Sequence, residues 1–137
     1  MIGVVASRFN SVVTERLVEG VERKLEEAGV PYEVIWVPGS FELPQAVSLL
    51  LNRYAAFVAV GCIVKGETAH WEYLSSAVIS SLLNIAVESK KPIGLAVLTV
   101  DSIEQGLNRA GGKFGNKGEE AAESVLGLLK LVGRGGG

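Results

Sequence analysis

The chain has 137 residues, 48% of them hydrophobic and 20% charged, with 13 Lys and Arg against 15 Asp and Glu and a formal net charge of -2. This composition is typical of one globular domain and excludes a disordered chain. Because acidic and basic residues are interleaved, we expect no nucleic-acid partner and no attraction to an anionic membrane.

Cys62 is the only cysteine, which excludes an intramolecular disulfide and a zinc site built from several cysteines. The longest apolar runs, such as 55–61, are far shorter than the roughly 20 residues that span a bilayer. The first residues lead directly into a strand-like run, with no pattern of a signal peptide. These features predict a cytoplasmic protein.

The first half of the chain reads as two strand–helix units. Residues 2–6 form an apolar run typical of a strand buried on both faces of a parallel sheet. The helix that follows has apolar positions every three or four residues. Those predicted to face inward are Val13, Leu17, Val21, Leu25 and Ala28. The second unit is a strand over 32–37 and a helix to about residue 52, with Pro44 in its first turn.

The second half repeats this alternation. A strand over 56–64 precedes a glycine-bearing loop, 65–68, and a helix whose predicted inward positions are Trp71, Leu74, Val78, Leu82 and Ile85. A strand over 92–100 follows, and Asp101 or Ser102 can cap the next helix. Residues 111–115 interrupt this helix before a last one from about 116 to 132.

Strands that alternate with helices predict a parallel sheet with helices on both faces. The fold class is therefore α/β, a three-layer sandwich with a four-stranded parallel sheet, flavodoxin-like in size. Residues 1–133 form one predicted domain, and 134–137 a flexible tail.

Such sheets bind ligands at the carboxyl ends of their strands, so the residues just after each strand are the candidates for function. Phe9 follows the first strand and either stacks on a planar ligand or packs at the entry to the helix. Phe41 and Glu42 follow the second and fit a helix start as well as a site. His70, the only histidine, has a side chain suited to proton transfer near neutral pH.

The loop 65–68 precedes a helix N-terminus, where amides and the helix dipole can hold a phosphate, although it lacks a Walker sequence. Arg109 and Lys117 flank the second glycine-rich segment and offer positive charge to an anion. The sequence 70–72 begins like a zinc deaminase motif, but that site needs two further cysteines and is rejected. Cys62 reads as a core thiol.

Seven stretches, taken together and in order, resemble the 6,7-dimethyl-8-ribityllumazine synthase family over nearly the whole chain. They are 7–10 (SRFN), 36–44 (WVPGSFELP), 66–70 (GETAH), 97–99 (VLT), 103–105 (IEQ), 109–111 (RAG) and 115–118 (GNKG). The resemblance implies a transferase of riboflavin biosynthesis that condenses 5-amino-6-(D-ribitylamino)uracil with 3,4-dihydroxy-2-butanone 4-phosphate, with no metal and no organic cofactor.

The resemblance also implies roles for individual residues. His70 would shuttle protons, and Glu67, Thr68 and Arg109 would bind the phosphate. The residues implied for the pyrimidine and its ribityl chain are Phe9, Ser40, Phe41, Glu42, Cys62, Ile63, Val64, Leu95 and Lys117. Family members are homo-oligomers, either pentamers or sixty-subunit shells, with each active site between adjacent subunits.

Four positions depart from the family pattern. Glu67 stands where Ala or Ser is usual, Ala69 where Pro is usual, Leu95 where an aromatic residue is frequent, and Lys65 where Arg is frequent. The chain also begins at its first predicted strand, whereas many relatives carry an earlier segment that adds to a neighbour's sheet.

Two other functions remain open at this point. An archaeal-type riboflavin synthase is a distant relative, although Phe9, Asn10 and the 68–70 stretch argue against it. A non-catalytic flavin carrier is the alternative from another class, because flavodoxin-like sheets bind flavins at the same loops. Retention of flavin on purification would favour the carrier, and turnover of the two substrates would favour the synthase.

Overall fold

The computed structural model describes residues 1–135. Its elements in chain order are β1 (Ile2–Ser7), α1 (Ser11–Glu27), β2 (Tyr32–Val37), α2 (Glu42–Leu49), β3 (Ala56–Val64), α3 (Trp71–Ser89), β4 (Ile93–Val100), α4 (Ile103–Asn108), β5 (Ala110–Gly112), β6 (Gly115–Asn116) and α5 (Lys117–Gly135). None of the helices in this part of the chain is long and apolar enough to cross a membrane.

Four parallel strands form one sheet in the order β2-β1-β3-β4. Every residue of β1 and β3 is buried, as expected for the central strands of a sheet covered on both faces. One core cluster packs α1, α4 and α5 on one face, and a second packs α2 and α3 on the other. The α/β three-layer prediction is confirmed.

Most predicted inward positions are confirmed. Val13, Leu17, Val21 and Leu25 are buried on α1, and Val78 and Leu82 on α3, where Leu74 and Ile85 pack half-buried against the same core. Ala28 is exposed, because α1 has ended and this residue is its C-cap. Trp71 is half-buried and lies against Lys65, whose Nζ is 5.1 Å from the ring centroid.

Other boundaries also differ from the prediction. The helix α2 ends at Leu49 rather than near residue 52, and β4 starts at Ile93, after Pro92. Instead of a plain interruption, residues 110–116 form a small antiparallel hairpin, which positive φ angles at Gly111 and Gly115 permit. Ser102, not Asp101, is the N-cap of α4, and its Oγ accepts a hydrogen bond from the amide of Gln105.

The predicted flexible tail, 134–137, overlaps the end of α5, which continues to Gly135. Its last two residues lie outside the described residues, so the tail stays a prediction.

Candidate active site

A cavity of about 280 Å³ opens where β1, β2 and β3 end. Its lining residues are Phe9, Gly39, Ser40, Phe41, Glu42, Cys62, Ile63, Val64, Glu67, Thr68 and Leu74. The parallel sheet explains this grouping, because the loops that follow neighbouring parallel strands meet at the same edge. Nine residues singled out from the sequence therefore surround one cavity within a single chain.

Two aromatic side chains stand at this cavity with most of their surface in contact with solvent. Phe9 is 58% exposed and Phe41 is 56% exposed. That exposure does not fit a Phe9 ring packed at the helix entry, which was one of its two interpretations. An exposed ring beside an apolar cavity is instead suited to stacking on a planar ligand.

Ser40 and Glu42 give the cavity its polar groups on the β2 side. Ser40 is buried, and it can approach β3 closely because Gly61 has no side chain: a Cβ there would lie 3.2 Å from Ser40 Oγ. Glu42 stands in the first turn of α2, where the helix dipole favours a negative charge. A hydroxyl and a carboxylate are the groups that hydrogen-bond a polyol.

The last residues of β3 form the floor of the cavity. Cys62, Ile63 and Val64 are all buried. Burial, and secondarily the charge of Glu67, raises the pKa of the Cys62 thiol to about 11. The thiol is therefore protonated and unreactive at neutral pH, which agrees with the prediction of a core cysteine.

The loop between β3 and α3 carries the residues proposed for phosphate. Gly66 has a φ of 91°, and the amide of Glu67 donates to the carbonyl of Val64 at 3.2 Å. The hydroxyl of Thr68 accepts from the amide of His70 at 3.2 Å. Within the described residues no side chain caps α3, so the amides of its first turn remain available to an anion.

His70 is the N-cap of α3 and is exposed. Its ring lies 6.3 Å from the ring of Tyr73, measured between centroids, and outside the lining of the cavity. Within a single chain, this histidine therefore lies beside the cavity rather than inside it.

The remaining predicted residues lie elsewhere. Leu95 and Lys117 line a second cavity of about 330 Å³ between β4 and α5, where Lys117 Nζ lies 3.3 Å from a carboxylate oxygen of Glu120. Arg109 is half-buried at the C-cap of α4, and its carbonyl accepts a hydrogen bond from the amide of Lys117 at 2.9 Å. These three residues do not line the first cavity of their own chain.

Comparison with known proteins identifies the family of the chain. The model of the 6,7-dimethyl-8-ribityllumazine synthase family matches residues 1–133. The chain belongs to that family. Proteins of this name from Sulfurospirillum multivorans and Pediococcus pentosaceus are 42% and 39% identical to it over 135 residues, which is 95% of this chain and 86% of each relative. The relative from Lactiplantibacillus plantarum is 40% identical over 95% of this chain and 85% of its own length.

Membership in the lumazine synthase family makes the protein an enzyme, a transferase of riboflavin biosynthesis. Among residues 1–135 there is no cluster of three or more His, Cys, Asp or Glu side chains that could hold a metal ion.

One residue of the site was missed in the sequence. Asn10 belongs to the SRFN stretch that supports the family resemblance, but no role was predicted for its side chain. In the structure its Nδ2 donates to the carbonyl of Cys62 at 2.8 Å and to a carboxylate oxygen of Glu67 at 3.4 Å. An asparagine directly after a strand was the available signal, although it is equally typical of a helix cap.

Proposed function

We propose that the protein condenses 5-amino-6-(D-ribitylamino)uracil with 3,4-dihydroxy-2-butanone 4-phosphate to form 6,7-dimethyl-8-ribityllumazine. The amine of the pyrimidine attacks the ketone and forms an imine with loss of water. Elimination of inorganic phosphate then leaves an enol that tautomerises to a second carbonyl group. The ribitylamino nitrogen attacks this carbonyl and closes the new ring with loss of a second water. The cavity at the ends of β1 to β3 is the observation that carries this proposal, because it brings together apolar, hydroxyl and carboxylate groups beside an uncapped helix.

The pyrimidine would occupy the apolar part of the cavity. Phe9 would stack on its ring, and Cys62, Ile63 and Val64 would line it with their backbone groups. Ser40, Phe41 and Glu42 would hold the ribityl chain, because a polyol requires both donors and acceptors.

The phosphate would bind where the loop meets α3. Thr68 and the first amides of α3 would donate to the anion, and the helix dipole favours its charge. The amide of Glu67 can take part only after its bond to Val64 opens, so we assign it a secondary place in this subsite. His70, next to the same loop, would carry protons between the intermediates and solvent.

The family also implies an oligomer, and we propose a pentamer with each active site shared by two neighbours. Sharing would bring Arg109, Leu95 and Lys117 of one subunit to the first cavity of the next. The separation of these residues from that cavity within one chain supports this proposal, and so does the exposure of Phe9, Phe41 and Tyr73, the last of which is 77% exposed. Pentamers of this kind could also assemble into sixty-subunit shells, and we place the enzyme in the cytoplasm.

The direct test is to mix the purified protein with the two substrates and follow the fluorescence of the lumazine product. We expect product and inorganic phosphate in equal amounts. Riboflavin formed from added lumazine would instead indicate a riboflavin synthase. Flavin retained in stoichiometric amount without turnover would indicate a carrier.

A variant at Phe9 tests where the pyrimidine lies. Replacing Phe9 by Ala should weaken pyrimidine binding by roughly 1–3 kcal/mol, the usual contribution of stacking a base on an aromatic ring. Equal pyrimidine affinity in the variant and the wild type would show that the ring is held elsewhere.

A further inference from the structure

Asn10 has an unusual backbone conformation for the position it occupies. It is the N-cap of α1, with φ 60° and ψ 42°, in the left-handed region that non-glycine residues other than asparagine and aspartate seldom adopt. Within the described residues its side chain makes no capping bond to α1. Its side-chain amide instead donates to the carbonyl of Cys62, in the neighbouring strand β3, and to the carboxylate of Glu67, in the loop that follows that strand.

Asn116 shows what an asparagine does when it caps a helix in this protein. It directly precedes α5, and its Oδ1 accepts from the amides of Gly118 and Glu119, at 2.7 and 3.2 Å. The contrast identifies Asn10 as a residue whose side chain connects the end of β1 to β3 and to the loop after β3, rather than one that stabilises its own helix.

Glu67 is the loop residue that this connection reaches. Its carboxylate lies beside Asn10 and close enough to Cys62 to contribute to the raised pKa of that thiol. Yet Glu67 belongs to the loop that leads to the uncapped N-terminus of α3, and the dipole of that helix attracts negative charge. A carboxylate released from Asn10 would therefore compete with a phosphate for the same amides.

We propose that Asn10 is a positioning residue that holds the Glu67 carboxylate over the end of β3 and so keeps the phosphate subsite open. This inference rests on the proposed function for the identity of the phosphate. It assigns Asn10 no contact with the substrates. The predicted consequence is coupling: loss of Asn10 harms phosphate binding only while Glu67 is present.

A double-mutant cycle of Asn10→Gly and Glu67→Ala tests this coupling. Glycine retains access to the left-handed conformation, so the backbone at position 10 is preserved. We expect Asn10→Gly to raise the KM for the butanone phosphate about tenfold, a change of roughly 1.4 kcal/mol, with a smaller effect on the KM for the pyrimidine. In the Glu67→Ala background the same change should alter the KM for the phosphate substrate less than about twofold.

Two further variants control the experiment. Asn52→Gly makes the same chemical change at an exposed turn before β3, at the opposite end of the sheet, and should leave both KM values unchanged. Asn10→Asp places two carboxylates together and should raise the KM for the phosphate substrate. Asn10→Asp with Glu67→Gln restores a donor and an acceptor between positions 10 and 67 and should reverse part of this rise, because the carbonyl of Cys62 still lacks the donor that Asn10 supplies. This pair also keeps the test available if the glycine variant does not fold.

The same double-mutant cycle can be measured without turnover, as the dissociation constant of inorganic phosphate determined by calorimetry. A wild type that binds phosphate but makes no lumazine would contradict the proposed function and leave the positioning role to be decided by this cycle. The positioning role would be overturned if Asn10→Gly changed phosphate binding equally with and without Glu67, or changed it in neither background. A wild type that binds no phosphate would also overturn it.

Discussion

His70 is the residue with the clearest expected effect on the rate. Replacing it by Ala should lower kcat by about 10²–10⁴-fold, the usual contribution of a general acid or base. The low end is expected, because the condensation of an amine with a ketone proceeds slowly without a catalyst. The fold should persist, since the side chain is exposed and its backbone amide keeps the bond to Thr68.

Steady-state fluorescence gives kcat for this variant, and circular dichroism checks that α3 is intact. An unchanged kcat in a folded His70→Ala enzyme would remove His70 from the mechanism.

Cys62 should be nearly inert towards thiol reagents in the folded protein. A pKa raised from 9.0 to about 11 leaves about one hundredth of the ordinary thiolate at pH 8, and burial further limits access. The rate of reaction with a chromogenic disulfide at pH 8 should therefore be at least about 100-fold lower than in urea. Rapid labelling of the native protein, at the rate of the unfolded chain, would contradict this environment.

The sequence predicted which residues line the first cavity where their position in the chain determines their place in space. Phe9, Ser40 and Thr68 each follow a strand, and the parallel sheet brings them together. Side-chain direction could not be predicted in the same way. Asn10 could cap α1 or cross to β3, and only the packed structure decides between two hydrogen-bonding partners of similar strength.

At the scale of elements, hydrophobic periodicity predicted the four strands and the long helices because burial on one or both faces determines them. The hairpin at 110–116 was read as a simple interruption, since two short strands have no periodicity of their own. The helix α2 ends at Leu49 because the chain must turn back toward β3, a tertiary requirement that the local sequence does not express.

Gly94 on β4 lets α5 pack closely against the sheet. A Cβ at this position would lie 2.6 Å from the carbonyl oxygen of Ala121 and 2.8 Å from Val125 Cγ2. Since the first of these atoms belongs to the backbone of α5, the helix would have to move. Gly94→Ala should therefore lower the free energy of unfolding by roughly 1–3 kcal/mol, as overpacked cores do.

Gly127 provides the matched control on α5. A Cβ there meets nothing within 4 Å, so Gly127→Ala should stabilise the helix by roughly 0.5–1 kcal/mol. Urea unfolding of both variants gives the two values. Equal stability of Gly94→Ala and the wild type would show that α5 adjusts without cost.

At the scale of the whole molecule, one chain carries two incomplete halves of the proposed site. The first cavity has groups for the pyrimidine and a helix N-terminus for the phosphate, but its lining contains no Lys or Arg. Arg109 and Lys117 lie away from it, at the end of α4 and at the start of α5. An oligomer that brings the second half of one subunit to the first half of the next would supply the missing positive charge.

Arg109 is the residue that tests this sharing. A guanidinium binds phosphate through two parallel hydrogen bonds, which Lys reproduces poorly. Arg109→Lys should therefore raise the KM for the butanone phosphate more than the KM for the pyrimidine. Equal changes in both values would indicate a general loss of structure rather than a phosphate contact.

Mixed oligomers test whether the site lies between subunits. His70→Ala chains and Arg109→Ala chains, each nearly inactive alone, are unfolded, combined and reassembled. Some interfaces then pair a native His70 from one chain with a native Arg109 from its neighbour, and activity should return in proportion to their number. Each variant reassembled by itself is the control and should stay inactive. Tags of different mass on the two chains show whether mixed oligomers form. If they form and remain as inactive as either parent, His70 and Arg109 do not build one site across an interface.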